Sequence, residues 1–162
     1  MTGLAARVNG LSPDDAAATL RRCCGAERWV ERMIAGRPYA DDRALLEAAD
    51  RAWWDLGRED WLQAFRAHPR IGERSADAWS RQEQAGVDGT GADIRRRLAA
   101  GNEAYEGRFG HVYLVCATGR EAPELLADLE TRLTNDPARE LRIAATEQAK
   151  IIRLRLEKLE NP

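Results

Sequence analysis

Apolar residues recur every three or four positions along most of the chain, the spacing of helices that bury one face. In "DDRALLEAADRAWWDLG", Leu45, Leu46, Ala49, Trp53 and Leu56 share a face, and Gly57 is expected to stop the helix. "SPDDAAATLRRCCG" opens with the capping residue Ser12, Pro13 and two acids, with Gly25 as its terminator. "ERWVERMIAG" predicts a short helix ending at Gly36. "REDWLQAFRAH" turns Trp61, Leu62 and Phe65 inward, and Pro69 drives His68 out of the α region, so the helix is expected to end there. "SADAWSRQEQAG" predicts a helix capped by Ser75, and "VDGTG" a loop. "ADIRRRLAAGNEAYEGRF" reads as helical despite Gly101. "APELLADLETRL" and "DPARELRIAATEQAKIIRLRLEKL" supply two more helices, the second with Asp136 as cap and Pro137 at its first position. Only "HVYLVCATG" has strand character, with no partner strand in view, so residues 111–118 are either helical or an extended core segment. The pattern predicts an all-α protein, a single multi-helix domain over residues 1–162.

Composition narrows the choice of chemistry. The 162 residues carry a formal net charge of -2, with 44% hydrophobic and 32% charged residues. A slightly acidic balance argues against nucleic acid, whose binders carry a basic excess. No apolar run is long enough for a bilayer, and "MTGLAARVNG" lacks the apolar core of a signal peptide, so a cytoplasmic protein is expected. Cys23, Cys24 and Cys116 lack the spacing of a zinc site and read as small apolar residues of a reducing compartment. No metal is expected.

The informative positions are polar residues that helical geometry turns inward. Leu141, Ala145, Gln148, Ile152, Leu156 and Leu159 form the apolar stripe of the last helix, and Arg155 sits at its edge. An inward guanidinium needs a carboxylate, a ligand or water; the plainer reading is a snorkelling or ion-paired arginine. Glu83 lies one turn beyond Trp79 on the same face, with Ser80 and Gln84 as the adjacent pair. It too needs a partner or a function. His68 closes a helix among charges, where an imidazole can exchange protons near neutral pH or simply cap the last carbonyls. His111 is a second candidate. The pattern gives a helical domain whose His, Glu and Arg can converge on a small anion, and it names no reaction.

Four stretches in order go further: "FRAHPRIGE" (65–73), "SRQEQAG" (80–86), "YEGRFGHVYLVCATGR" (105–120) and "RLTNDPARELRIAATEQAKIIRLRL" (132–156), the last closing on "KIIRLRL". On these the chain resembles the 2-oxo-4-hydroxy-4-carboxy-5-ureidoimidazoline (OHCU) decarboxylase family. The resemblance implies an all-α, cofactor-free homodimer that converts a small anionic ureidoimidazoline to (S)-allantoin in urate degradation. It implies His68 as the catalytic histidine, Glu83 as the active-site glutamate and Arg155 as the substrate-binding arginine. It also implies substrate contacts from Pro69, from the Ser80–Gln84 turn, and from the backbone of Leu114, Val115, Cys116, Ala117 and Thr118. Relatives often have an aromatic residue where this chain has His111, and "LEKLENP" lacks the peroxisomal tripeptide of some members. Two other functions are compatible with the residues: a non-enzymatic helical binding module, and a related decarboxylase or hydrolase acting on another ureido or imidazolone anion.

Overall fold

The structure is a computed structural model that describes residues 3–73, 78–87 and 91–160. Among these, every regular element is helical: α1 (Leu4–Gly10), α2 (Pro13–Cys23), α3 (Glu27–Ala35), α4 (Asp42–Trp54), α5 (Arg58–Phe65), α6 (Ala78–Glu83), a 3-10 turn (Ala85–Val87), α7 (Ala92–Phe109), α8 (Ala122–Arg132) and α9 (Pro137–Lys158). No helix among the described residues is long and apolar enough to cross a membrane. The chain forms two compact units, one of residues 1–64 and 149–162, the other of residues 65–148.

In the first unit α2 packs on α3, α3 on α4, and α1 on α4. The starts of α2 and α4 follow from short polar side chains that accept orphan amides. Ser12 Oγ takes the Asp15 N–H at 3.1 Å, and Asp41 Oδ1 takes the Ala44 N–H at 2.8 Å. Gly25 does not end α2, because Cys24 has already left the helix at φ -153° and ψ 128°. α4 likewise stops at Trp54, before Gly57. On the buried faces lie Val8, Leu20, Trp29, Met33, Leu45, Trp53, Ile152 and Leu156. Trp29 donates its indole N–H to Ala49 O at 3.0 Å, as a buried indole must find an acceptor. Of the adjacent pair, Trp53 is buried and Trp54 is exposed.

In the second unit α7 packs against α8. Gly101 permits the approach: a Cβ there would come within 2.6 Å of Leu129 Cδ2 on α8. Tyr105, Phe109, Tyr113, Val115, Leu125 and Leu129 fill this core. The 111–118 segment is neither helix nor strand, yet Tyr113, Leu114, Val115 and Ala117 are buried. Buried backbone must be satisfied, and here side chains do it. Arg132 Nη1 donates to Leu114 O at 2.8 Å, and Glu147 Oε1 accepts the Cys116 N–H at 3.2 Å. Ser75, the expected cap of α6, lies outside the described residues.

Candidate active site

α5 ends at Phe65 rather than at His68, and the chain leaves it through a turn in which the His68 N–H reaches Phe65 O at 3.1 Å. Pro69 supplies the physical reason, since a residue before proline is disfavoured in the α region. His68 and Pro69 therefore stand half-buried on a turn, not on a helical ridge. Three groups pin that turn. Arg70 Nε donates to Glu106 of α7 at 2.8 Å, Asn102 Nδ2 donates to Ile71 O at 2.9 Å, and the Gly72 N–H donates to Gln84 Oε1 at 3.0 Å. Gln84 thus ties the end of α6 to the histidine turn.

On the other flank His68 Nε2 lies 2.8 Å from Gln148 Oε1, on α9. The preceding residue, Glu147, holds the Cys116 amide. One turn of α9 therefore grips both the histidine and the 114–118 segment. A third tie joins that segment's end to α6. A Cβ on Gly86, in the turn after α6, would occupy the space of the Arg120 carbonyl oxygen, so only glycine lets these backbones meet. The histidine turn, the α6 helix with Ser80 and Glu83, and the 114–118 segment are thereby joined through Gln84, Gln148, Glu147 and Gly86.

Ser80 and Glu83 are buried, as an inward face of α6 requires. Gln84 is half-buried, Leu114, Val115 and Ala117 are buried, Cys116 is intermediate and Thr118 is exposed. Of the backbone groups expected to meet a ligand, the Cys116 N–H and the Leu114 C=O already have side-chain partners. Arg155 belongs to the other unit. It is 8% exposed, and its Nη1 donates to Arg22 O at 3.0 Å. The inward turn that the stripe on the last helix predicts for it is present. Its positive charge also acts on Cys23 and Cys24, whose thiols burial pushes up to about 12, with Arg155 pulling them partly back. Those two thiols are packing residues with no thiolate at neutral pH.

His111 has its Nδ1 3.0 Å from Val112 O and its ring among Phe65, Tyr105 and Phe109. That is a packed imidazole in an aromatic setting. A cavity of about 550 Å³ also opens beside the histidine turn, lined by Arg70, Ile71, Leu98, Asn102 and Glu106 among others. His68, Glu83 and the 114–118 segment are absent from the lining of this cavity. Among the described residues no group of three or more His, Cys, Asp or Glu is arranged to hold a metal ion.

Sequence reasoning missed the roles of Glu147 and Gln148. A buried Gln148 in an apolar stripe was the available signal, because a buried amide needs partners. Its Oε1 has one in His68, whereas its Nε2 is buried and unpartnered among the described residues. Leaving such a group unmet costs about 1–3 kcal/mol.

Known proteins extend the match beyond this geometry. The sequence model of a family described as OHCU decarboxylase matches residues 9–157. The chain is 34% identical over 145 residues to an Arabidopsis thaliana uric acid degradation bifunctional protein, covering 85% of this chain but only 45% of that protein's length. It is 35% identical over 133 residues to a Haloferax volcanii 2-oxo-4-hydroxy-4-carboxy-5-ureidoimidazoline decarboxylase, covering 79% of each chain. Its fold is similar to a crystal structure of OHCU decarboxylase in the presence of (S)-allantoin, with a TM-score of 0.79, 33% identity, and coverage of 88% of this chain and 96% of that one. A match running through the histidine turn, α6, the 114–118 segment and α9 places the chain in the OHCU decarboxylase family.

Proposed function

We propose that the protein decarboxylates 2-oxo-4-hydroxy-4-carboxy-5-ureidoimidazoline to (S)-allantoin, without a cofactor, as a step of urate degradation. The observation that carries this is the joining of His68, α6 and the 114–118 segment through one turn of α9 and Gln84, the residue just after α6, in a chain of this family. A carboxylate leaves as carbon dioxide, its bonding pair passes into the ring π system, and one proton is taken up in its place. The ring's own carbonyl and nitrogen delocalise that pair. The protein's tasks are to orient the breaking bond and to move the proton.

His68 is the general acid–base group in this reading. Glu83 accepts hydrogen bonds from ureido or ring N–H groups, and Arg155 binds substrate oxygens through its planar fork. Its role rests on its burial and its place in "LRL". A grip confined to the departing carboxylate would stabilise the ground state and slow the reaction, which favours other oxygens for Arg155. Pro69, Ser80, Gln84 and the backbone of 114–118 supply the remaining contacts. The whole of residues 1–162 acts as one domain, as the continuous match over 9–157 supports, and the protein works as a cytoplasmic homodimer.

Circular dichroism on freshly generated OHCU tests the reading. The wild type should build the (S)-allantoin signal faster than spontaneous decay, and His68→Ala should lower turnover by about 10²–10⁴-fold with the helical content unchanged. Glu83→Gln and Arg155→Lys should fall in the same assay, the first by losing charge and the second by losing the fork. A wild-type signal no faster than buffer alone would leave a binding module as the better description. Turnover on a related imidazolone anion, with none on OHCU, would move the substrate within the same chemistry.

A further inference from the structure

Gln148 is fully buried on α9, in the stripe that also carries Ala145 and Ile152. A leucine or methionine would pack there without any unmet polar group. The amide instead spends its oxygen on His68, at 2.8 Å across 80 residues of sequence, and leaves its nitrogen without a partner among the described residues. Packing alone gives no reason to keep such a residue. Glu147, one position earlier, is turned to the Cys116 amide, and successive helical residues point about 100° apart. Two consecutive polar side chains of one helix thus reach two separate segments of the candidate site.

We propose that Gln148 is a positioning residue for His68. Its amide oxygen accepts the Nε2–H, which fixes the plane of the ring and holds the neutral imidazole as the Nε2–H tautomer. Nδ1 is then the nitrogen that exchanges the proton with substrate. A neutral amide suits this task. It orients the ring as a carboxylate would, without adding a negative charge that would favour the imidazolium. The proposal rests on the reading of His68 as the acid–base group, and it adds which nitrogen works and what sets it.

Nitrogen-15 NMR of histidine-labelled protein reads the tautomer directly, without reference to activity. The chain has two histidines, so the signal lost in His68→Ala assigns His68. The expected wild-type spectrum shows His68 protonated at Nε2 with Nδ1 unprotonated. Gln148→Met keeps the volume and removes the acceptor. It should mix the tautomers and lower kcat by about 10²-fold, the cost of a misplaced catalytic group, with little change in KM. Gln148→Glu restores an acceptor oxygen at the same place and should recover the Nε2–H tautomer and more kcat than Gln148→Met. An Nδ1–H tautomer in the wild type overturns this assignment and leaves His68 as the acid–base group. Unchanged tautomer and kcat in Gln148→Met does the same. Full turnover in His68→Ala overturns both readings, since nothing would remain to be positioned.

Discussion

Glu140 has no exposed surface and sits in a buried polar network with Arg132, Tyr105 and Asn135. Its Oε1 accepts from Arg132 Nε at 2.6 Å and from Tyr105 Oη at 2.6 Å, and its Oε2 accepts from Asn135 Nδ2 at 3.0 Å. Arg132 Nη2 is equally close to Oε1 but is not aligned to donate to it, so the pair rests on Nε. Burial works against the Arg132 charge, yet the hydrogen bond and charge of Glu140 raise its pKa above the usual arginine range. That arginine is also the group that satisfies Leu114 O. Removing one partner of a buried pair leaves an uncompensated charge, the costly case. Glu140→Gln should therefore lower the unfolding free energy by about 3 kcal/mol in urea titrations. Combining it with Arg132→Met should return part of that loss. An unchanged midpoint in Glu140→Gln would show that Asp128, 3.4 Å from Arg132, suffices as counter-ion.

The contact of α7 with α8 turns on one missing methyl group. In a helix interior Ala is favoured over Gly by about 1 kcal/mol, so Gly101 weakens α7 considered alone. Against α8 the sign reverses, because a Cβ would fall 2.6 Å from Leu129 Cδ2 and 3.2 Å from its Cγ, and Leu129 is fully buried. Overpacking of this kind costs about 1–3 kcal/mol. Gly101→Ala should thus be destabilising by roughly 1 kcal/mol net. In a Leu129→Ala background the same change should stabilise by about 1 kcal/mol, because only the helical preference remains. A stabilising Gly101→Ala in the wild-type background would show that Leu129 shifts at no cost. The same logic governs Gly86 and Arg120, where the obstacle is backbone and cannot turn aside.

Among the described residues, Cys23, Cys24, Tyr39, Tyr105 and Tyr113 are weak acids whose neutral form the fold favours. Burial pushes the thiols of Cys23 and Cys24 up to about 12. It also raises the phenols of Tyr39, Tyr105 and Tyr113, the last two aided by Glu140 and Asp128. For each, the folded pKa exceeds the unfolded one, so above the unfolded value the native state binds more protons than the unfolded chain. Stability is then fully present below the unfolded pKa and is lost as pH rises through the folded one. For the thiols that window runs from the ordinary value of 9.0 to about 12. The urea midpoint should fall steadily between about pH 9 and about pH 12. Replacing Cys23 and Cys24 by alanine should flatten that slope. A midpoint independent of pH over this range would mean that these groups ionise without unfolding.

Most helices could be read from the chain because their evidence is local. Ser12, Asp41 and Asp136 accept amides within three residues, and a 3.6-residue period repeats without reference to any neighbour. The inward turn of Glu83 and Arg155 followed from the same period. The family likewise followed from side chains in order, since a motif is a linear object. Long-range partners could not be read that way. Nothing near position 148 points to a ring 80 residues away, and nothing in "HVYLVCATG" shows that Arg132 and Glu147 replace the missing partner strand. The closeness of Gly86 to Arg120 depends equally on what packs beside it. Hydrogen bonds and contacts between distant segments exist only after the chain has closed on itself, and they decide which polar group is satisfied and which is left to act.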